Sequence, residues 1–191
     1  LQTEIRVKTE SKEFIAGLKS NSTDSFKILV EISRDMVYNL CLNYLQNTEE
    51  AEDTMQEVFV TIYKSIKDFK EESSLKTYIY RITINKCLDN IRKKKAKKRF
   101  GIFTRYEEEH NPDFNHPGII QENKERAEIL YRYINKLPFS QKTAFVLAET
   151  ESLTYKEIAE IMETTKGAVE SLIFRAKKNL RKMLTKYYKT Q

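Results

Sequence analysis

The chain has 191 residues, 40% of them apolar and 32% charged, enough for one ordinary domain or two small ones and too polar for a membrane protein. Its 34 Lys and Arg against 28 Asp and Glu leave a net charge of +6, a balance that favours a polyanionic partner. No run approaches the roughly 18 apolar residues of a membrane span and no basic-then-apolar leader occurs, so the expected compartment is the cytoplasm, without membrane insertion.

Helical periodicity runs through nearly the whole sequence and predicts an all-α protein. Phe14, Ile15 and Leu18 form a short apolar stripe that ends at the polar "SNSTD". Phe26, Leu29, Val37, Leu40, Cys41 and Leu45 then mark a longer amphipathic helix closing near "QNT". Over 49–69 the pattern is clearest: Met55, Phe59, Ile62, Ile66 and Phe69 recur at helical steps as a buried face. Asp53, Gln56, Glu57 and Val60 follow the same steps on a different face. "KEESS" interrupts, and a last N-terminal helix is expected over 75–98, with Leu75, Ile79, Ile82 and Ile91 inward.

Two of the four glycines and two of the three prolines lie in "FGIFTRYEEEHNPDFNHPGIIQ", which has turn signals and no steady period. The expected organisation is therefore two small helical domains, 1–97 and 126–191, joined by a linker over 98–125. Beyond the linker, a helix over 122–135 leads through "LPFSQ" into another ending near 149. "TYKE" (154–157) fits a capping box opening the next helix.

Cys41 and Cys87 sit singly in apolar helical patterns and read as buried thiols; His110 and His116 lie in the irregular stretch. No spacing fits a metal site, and no cofactor or small-molecule substrate is implied. Carboxylates without an accompanying Glu-x-x-His give no basis for catalysis, so the chain is not expected to be an enzyme.

Three stretches carry chemistry. In "LKTYIYRITINKCLDNIRKKK", Tyr78 and Tyr80 stand among Lys76, Arg81, Lys86, Arg92 and Lys93. Rings beside cations suit single-stranded DNA, where bases stack and cations follow the backbone; the alternative is a partly buried Tyr78 and an ordinary surface Tyr80. "RKKKAKKR" holds seven cations in eight positions, as a nucleic-acid patch or a solvated helix end would. The acidic face of Asp53, Gln56 and Glu57 would repel DNA and suits a protein partner.

The third stretch is "LTYKEIAEIMETTKGAVESLIFRAKKNLRK". Ala159 is small enough for a close helix crossing, with Val169 and Leu172 placed to meet it and Ile158 and Met162 completing the seam. The second helix would expose Thr165, Lys166, Glu170, Ser171, Phe174, Arg175 and Lys178. That arrangement describes either a DNA-reading helix-turn-helix or a plain helical hairpin. Glu163 occupies the turn position where glycine is commonest, and Thr164 stands where an apolar residue is usual.

Taken in order, "AEDTMQEVF", "LKTYIYRITINKCLDNIRKKK", "LPFSQKTAFVL" and "LTYKEIAEIM…GAVESLIFRAKKNL" resemble the sigma-70 family of bacterial RNA polymerase initiation factors, in the two-domain extracytoplasmic-function (ECF) form. The resemblance implies a region 2-like domain and a region 4-like helix-turn-helix domain. It implies that Asp53, Gln56, Glu57 and Val60 contact core RNA polymerase. It further implies that the segment from Asp68 to Arg92 captures the melted minus-ten strand, with a flipped base near the "KEESS" loop and Asn85 and Arg81 close by, and Lys93 beside it among the DNA contacts. Residues 153–182 would read the minus-thirty-five duplex through Thr165, Lys166, Ser171, Arg175 and Lys178, and an anti-sigma factor is an implied partner. Tyr78 stands where the family usually has tryptophan, and "GAVESL" where "GTVKSR" is common, which reduces the DNA-contact set. The rival reading is a signalling adaptor that mimics a sigma factor and binds an anti-sigma protein without binding DNA.

Overall fold

A computed structural model of the chain describes residues 11–99 and 124–189, and these contain eight α-helices. The chain divides into two compact units, Leu1–Asp113 and Phe114–Gln191. Residues 100–123, which make up most of the expected linker and include both histidines, lie outside the described residues.

In the first unit, α1 (Lys12–Lys19) is capped by Ser11, whose hydroxyl accepts from Phe14 N at 3.2 Å. Helix α2 (Thr23–Leu45) follows so tightly that a Cβ on Gly17 would lie 2.3 Å from Ser25 Oγ. It stops at Gln46, which takes a left-handed φ of 53°, and Asn47 caps α3 (Thr48–Ser65) by accepting from Glu50 N at 2.8 Å. A 3₁₀ turn, Ile66–Asp68, ends this run, so the α-helix is shorter than the periodicity predicts. Helix α4 (Leu75–Arg99) packs against both α2 and α3.

The stripe expected on α3 is buried at Phe59, Ile62, Ile66 and Phe69, while Met55 stays partly exposed and Ala51, Thr54 and Val58 fill the core. On α4 the expected inward set needs correction. Ile82 and Ile91 are partly exposed, and the core row is Leu75, Ile79, Thr83 and Cys87, flanked by Tyr80 and Ile84. A threonine can occupy this row because its hydroxyl donates to the Ile79 carbonyl at 2.8 Å and so is buried with its donor satisfied. Cys41 and Cys87, expected as separate thiols, are neighbours: both are fully buried, with their Sγ atoms 3.8 Å apart. Contact with Cys87 and burial hold the Cys41 thiol far above its ordinary pKa, which keeps it protonated and unreactive.

The second unit comprises α5 (Lys124–Ile134), α6 (Phe139–Glu149), α7 (Tyr155–Ile161) and α8 (Lys166–Lys189). Val169, Ile173, Ala176 and Leu180 form the buried stripe of α8, which packs on α5, α6 and α7. The capping box is present: Thr154 Oγ1 accepts from Glu157 N, and the Glu157 carboxylate accepts from Thr154 N at 2.8 Å. Between α7 and α8, Glu163 has a left-handed φ of 52°, and Thr164 N donates back to the Ala159 carbonyl at 2.9 Å. This five-back bond closes the helix end and turns the chain within a few residues. Ile158, Ala159 and Val169 are buried at the expected crossing, with Met162 and Leu172 at its partly exposed edge.

Ile158 has no exposed surface. Ile158→Ala should destabilise the unit by about 2–5 kcal/mol, seen as a lower urea midpoint by far-ultraviolet circular dichroism of the full chain.

Candidate nucleic-acid and partner interfaces

Because Ala51, Thr54, Val58 and Ile62 are buried, the opposite side of α3 is turned to solvent. Asp53, Gln56, Glu57 and Val60 are all exposed there. The face continues through Tyr63, 44% exposed, whose ring meets Phe26 of α2 edge-on at 5.0 Å. Tyr63 carries on the three-residue step from Val60, a signal present in the sequence and not used above. Glu57 lies 3.9 Å from Lys86 Nζ on α4, so the acidic face and the basic helix meet at this pair.

On α4, Tyr78, Arg81, Asn85 and Arg92 are spaced by three, four and seven residues and share one side of the helix. Asn85 and Arg92 are exposed, Arg81 partly so. Lys76 and Lys93 are exposed off this stripe, and Lys86 lies toward α3. Tyr80 is corrected: it is 2% exposed and packs in the core, so its ring offers no face to a base. The Lys76 ammonium lies 5.8 Å from the centre of that ring.

Tyr78 is held from two sides. Its hydroxyl is hydrogen-bonded to Ser65 Oγ at 2.7 Å, and its ring is tilted against Phe69 with centroids 4.8 Å apart. Phe69 is in turn covered by the Lys19 ammonium at 5.9 Å, which also pairs with Glu71. Glu71 takes a left-handed φ of 61°, a conformation costly for a side-chain-bearing residue. Helix α1 thereby restrains the loop between α3 and α4. Nothing in the periodicity of α1 announces this role for Lys19.

In the second unit, Thr165 caps α8, its hydroxyl oxygen accepting from Ala168 N at 3.2 Å. Lys166, Ser171, Arg175 and Lys178 are exposed, as are Glu170 and Phe174. Neither Arg175 nor Lys178 has a carboxylate partner among the described residues. Lys177 differs: it pairs with Glu149 at 2.7 Å, and that bond raises its pKa above the ordinary value. Among the described residues no cluster of three potential metal ligands occurs, and no helix is long and apolar enough to cross a membrane.

The family model for sigma-70 region 2 matches residues 29–97, and that for sigma-70, region 4 matches residues 127–180. Over 184 residues the chain is 32% identical to the ECF RNA polymerase sigma factor SigW of Bacillus subtilis, covering 91% of this chain and 96% of that protein. The chain belongs to the sigma-70 family, in its ECF group. Sigma factors of this kind are transcription initiation factors and not enzymes. The ECF RNA polymerase sigma-E factor of Haemophilus influenzae is 30% identical over 174 residues, 85% of this sigma factor and 89% of that one.

Two solved structures share the fold at 19% identity. CnrH in complex with the cytosolic domain of CnrY gives a TM-score of 0.65 and covers 90% of this sigma factor and 95% of that chain. RpoE in complex with the anti-sigma factor NepR from Bartonella quintana gives 0.63, covering 85% and 98%. The region 2 match begins at Leu29, so α1 and Lys19 precede it, and the restraint on the α3–α4 loop is contributed from outside the matched span.

Surface pairs such as Lys19–Glu71 are worth about 0–1 kcal/mol. Lys19→Ala should therefore leave global stability within about 1 kcal/mol of the parent while amide hydrogen exchange over 69–74 accelerates. Unchanged exchange there would show that Lys19 does not hold the loop.

Proposed function

We propose that this sigma factor binds core RNA polymerase through the outer face of α3 and directs it to promoters by holding two forms of DNA. The observation that carries the polymerase reading is the continuous exposed row Asp53, Gln56, Glu57, Val60 and Tyr63, acidic at one end and apolar at the other. An interface of that kind offers an apolar anchor with a charged rim. The Glu57–Lys86 pair is half exposed and thus weak, so a cationic partner can take over the carboxylate at small cost.

The melted minus-ten strand is assigned to the Tyr78, Arg81, Asn85 and Arg92 face, with Lys76, Lys86 and Lys93 along its flanks. Extruding a base costs a few kcal/mol, and stacking on a ring returns about 1–3 kcal/mol per base. Tyr78 is suited to that stacking because Ser65 and Phe69 fix its orientation before any DNA arrives. Tyr80 has no part in it. The duplex minus-thirty-five element is assigned to Thr165, Lys166, Ser171, Arg175 and Lys178, with Arg175 and Lys178 meeting phosphates.

The fold is shared with CnrH, solved in complex with the cytosolic domain of CnrY, and with RpoE, solved in complex with the anti-sigma factor NepR. This supports an anti-sigma partner here as well, acting in the cytoplasm where polymerase works. The adaptor reading, in which DNA is never bound, gives no role to the exposed Arg175 and Lys178.

Replacing Asp53, Gln56 and Glu57 together by alanine should weaken binding to core polymerase at least tenfold, about 1.4 kcal/mol, with helical content unchanged. Unaltered affinity in a fluorescence-anisotropy titration would remove α3 from the interface.

A further inference from the structure

The chain has only two cysteines, and they meet in one core. Cys41 lies on α2 and Cys87 on α4, 46 residues apart in sequence, with both side chains fully buried and their Sγ atoms 3.8 Å apart. Each belongs to the buried row of its helix, Cys41 with Val37, Leu40 and Tyr44, and Cys87 with Ile79 and Thr83. Packing alone would be served equally by a small aliphatic side chain at either position. Neither thiol has a part in the proposed binding of polymerase or DNA.

A disulfide needs its two Sγ atoms brought to about 2.05 Å. From 3.8 Å that is a movement within one packed core, not of one unit against another. The closed core nevertheless protects the pair. No oxidant reaches a fully buried sulfur, and a thiol held in its protonated form is a poor nucleophile. Chemistry therefore belongs to the moments when α2 and α4 part. Near this point α4 is also held to α3, where Asn90 Nδ2 donates to Thr54 Oγ1 at 2.7 Å. A parting of α4 from both neighbours gives up that bond as well as the core contacts.

We infer that Cys41 and Cys87 are a site of reversible oxidation, a dithiol that a small-molecule disulfide converts to an intramolecular cystine tying α2 to α4. In the opened unit one cysteine thiolate attacks the reagent disulfide, forms a mixed disulfide and expels one thiolate. The other cysteine attacks the protein sulfur of that mixed disulfide and expels the second. The protein gives up two protons and two electrons, and the reagent is reduced to two thiols. In a reducing compartment the resting form is the dithiol, and the bond marks an oxidative episode. Because it joins two helices distant in sequence, the bond restricts the unfolded chain and favours the closed unit. The site stands independently of the faces assigned to polymerase and DNA.

The test is prolonged incubation of the full chain with oxidised glutathione. Intact-mass measurement should find a monomer that has lost two hydrogens and carries no glutathione. The urea midpoint of α2 and α4, read by pulsed hydrogen exchange, should rise by about 1 M and fall back on addition of dithiothreitol. Cys41→Ala and Cys87→Ala should each stop at the mixed disulfide and show no rise in midpoint. Should either variant fail to fold, the unsubstituted chain decides alone. A chain that keeps both thiols, retains glutathione, links to a second copy, or forms the bond without a rise in midpoint overturns the inference.

Discussion

An α-helix turns about 100° per residue, so burying one stripe decides where every other side chain points. In α8 the burial of Val169, Ile173, Ala176 and Leu180 fixes the outward direction of Ser171, Phe174 and Lys178. In α3 the burial of Ala51, Thr54, Val58 and Ile62 does the same for Asp53, Gln56 and Val60. Each fully buried aliphatic side chain contributes about 1.5–3 kcal/mol, far more than any surface contact in the molecule. The outward faces inherit their rigidity from these buried stripes.

The cations divide into those held by the fold and those left for others. Lys177 is tied to Glu149, Lys94 to Glu50, and Lys19 to Glu71. Arg175 and Lys178 have no such partner among the described residues. A net charge of +6 thus understates the contrast between individual positions. Glu57 and Lys86 sit where the acidic and basic faces meet, close enough to interact and too exposed to bind each other firmly. Occupation of either face by a partner would change the field felt at the other, so the polymerase docking and strand capture proposed for them would share a boundary.

Much of this was legible in the sequence. Most of the α3 stripe, the Thr154–Glu157 capping box and the exposed row of α8 follow from spacing and residue type, whereas the left-handed Glu163 runs against its residue type. The core side of α4 was not, because Thr83 and Cys87 occupy positions where a reader looks for isoleucine. Once those two are inside, Ile82 and Ile91 are rotated to the edge and Tyr80 is carried in with the core. The contact between Cys41 and Cys87 was hidden for a different reason: it joins residues on two helices, and periodicity within one helix says nothing about pairing between helices. The hold of Lys19 on Phe69 and Glu71 is likewise tertiary and precedes the region 2 match.

The proposed role as a promoter-specificity factor rests on three outward faces, on α3, α4 and α8, each set by a buried stripe. Reconstituted transcription with core polymerase on a promoter library tests it most directly. The account predicts transcripts from a defined set of start sites sharing two spaced elements, present only when the chain is added. Transcription that is unchanged by the chain, although the chain is folded and bound to polymerase, would contradict it.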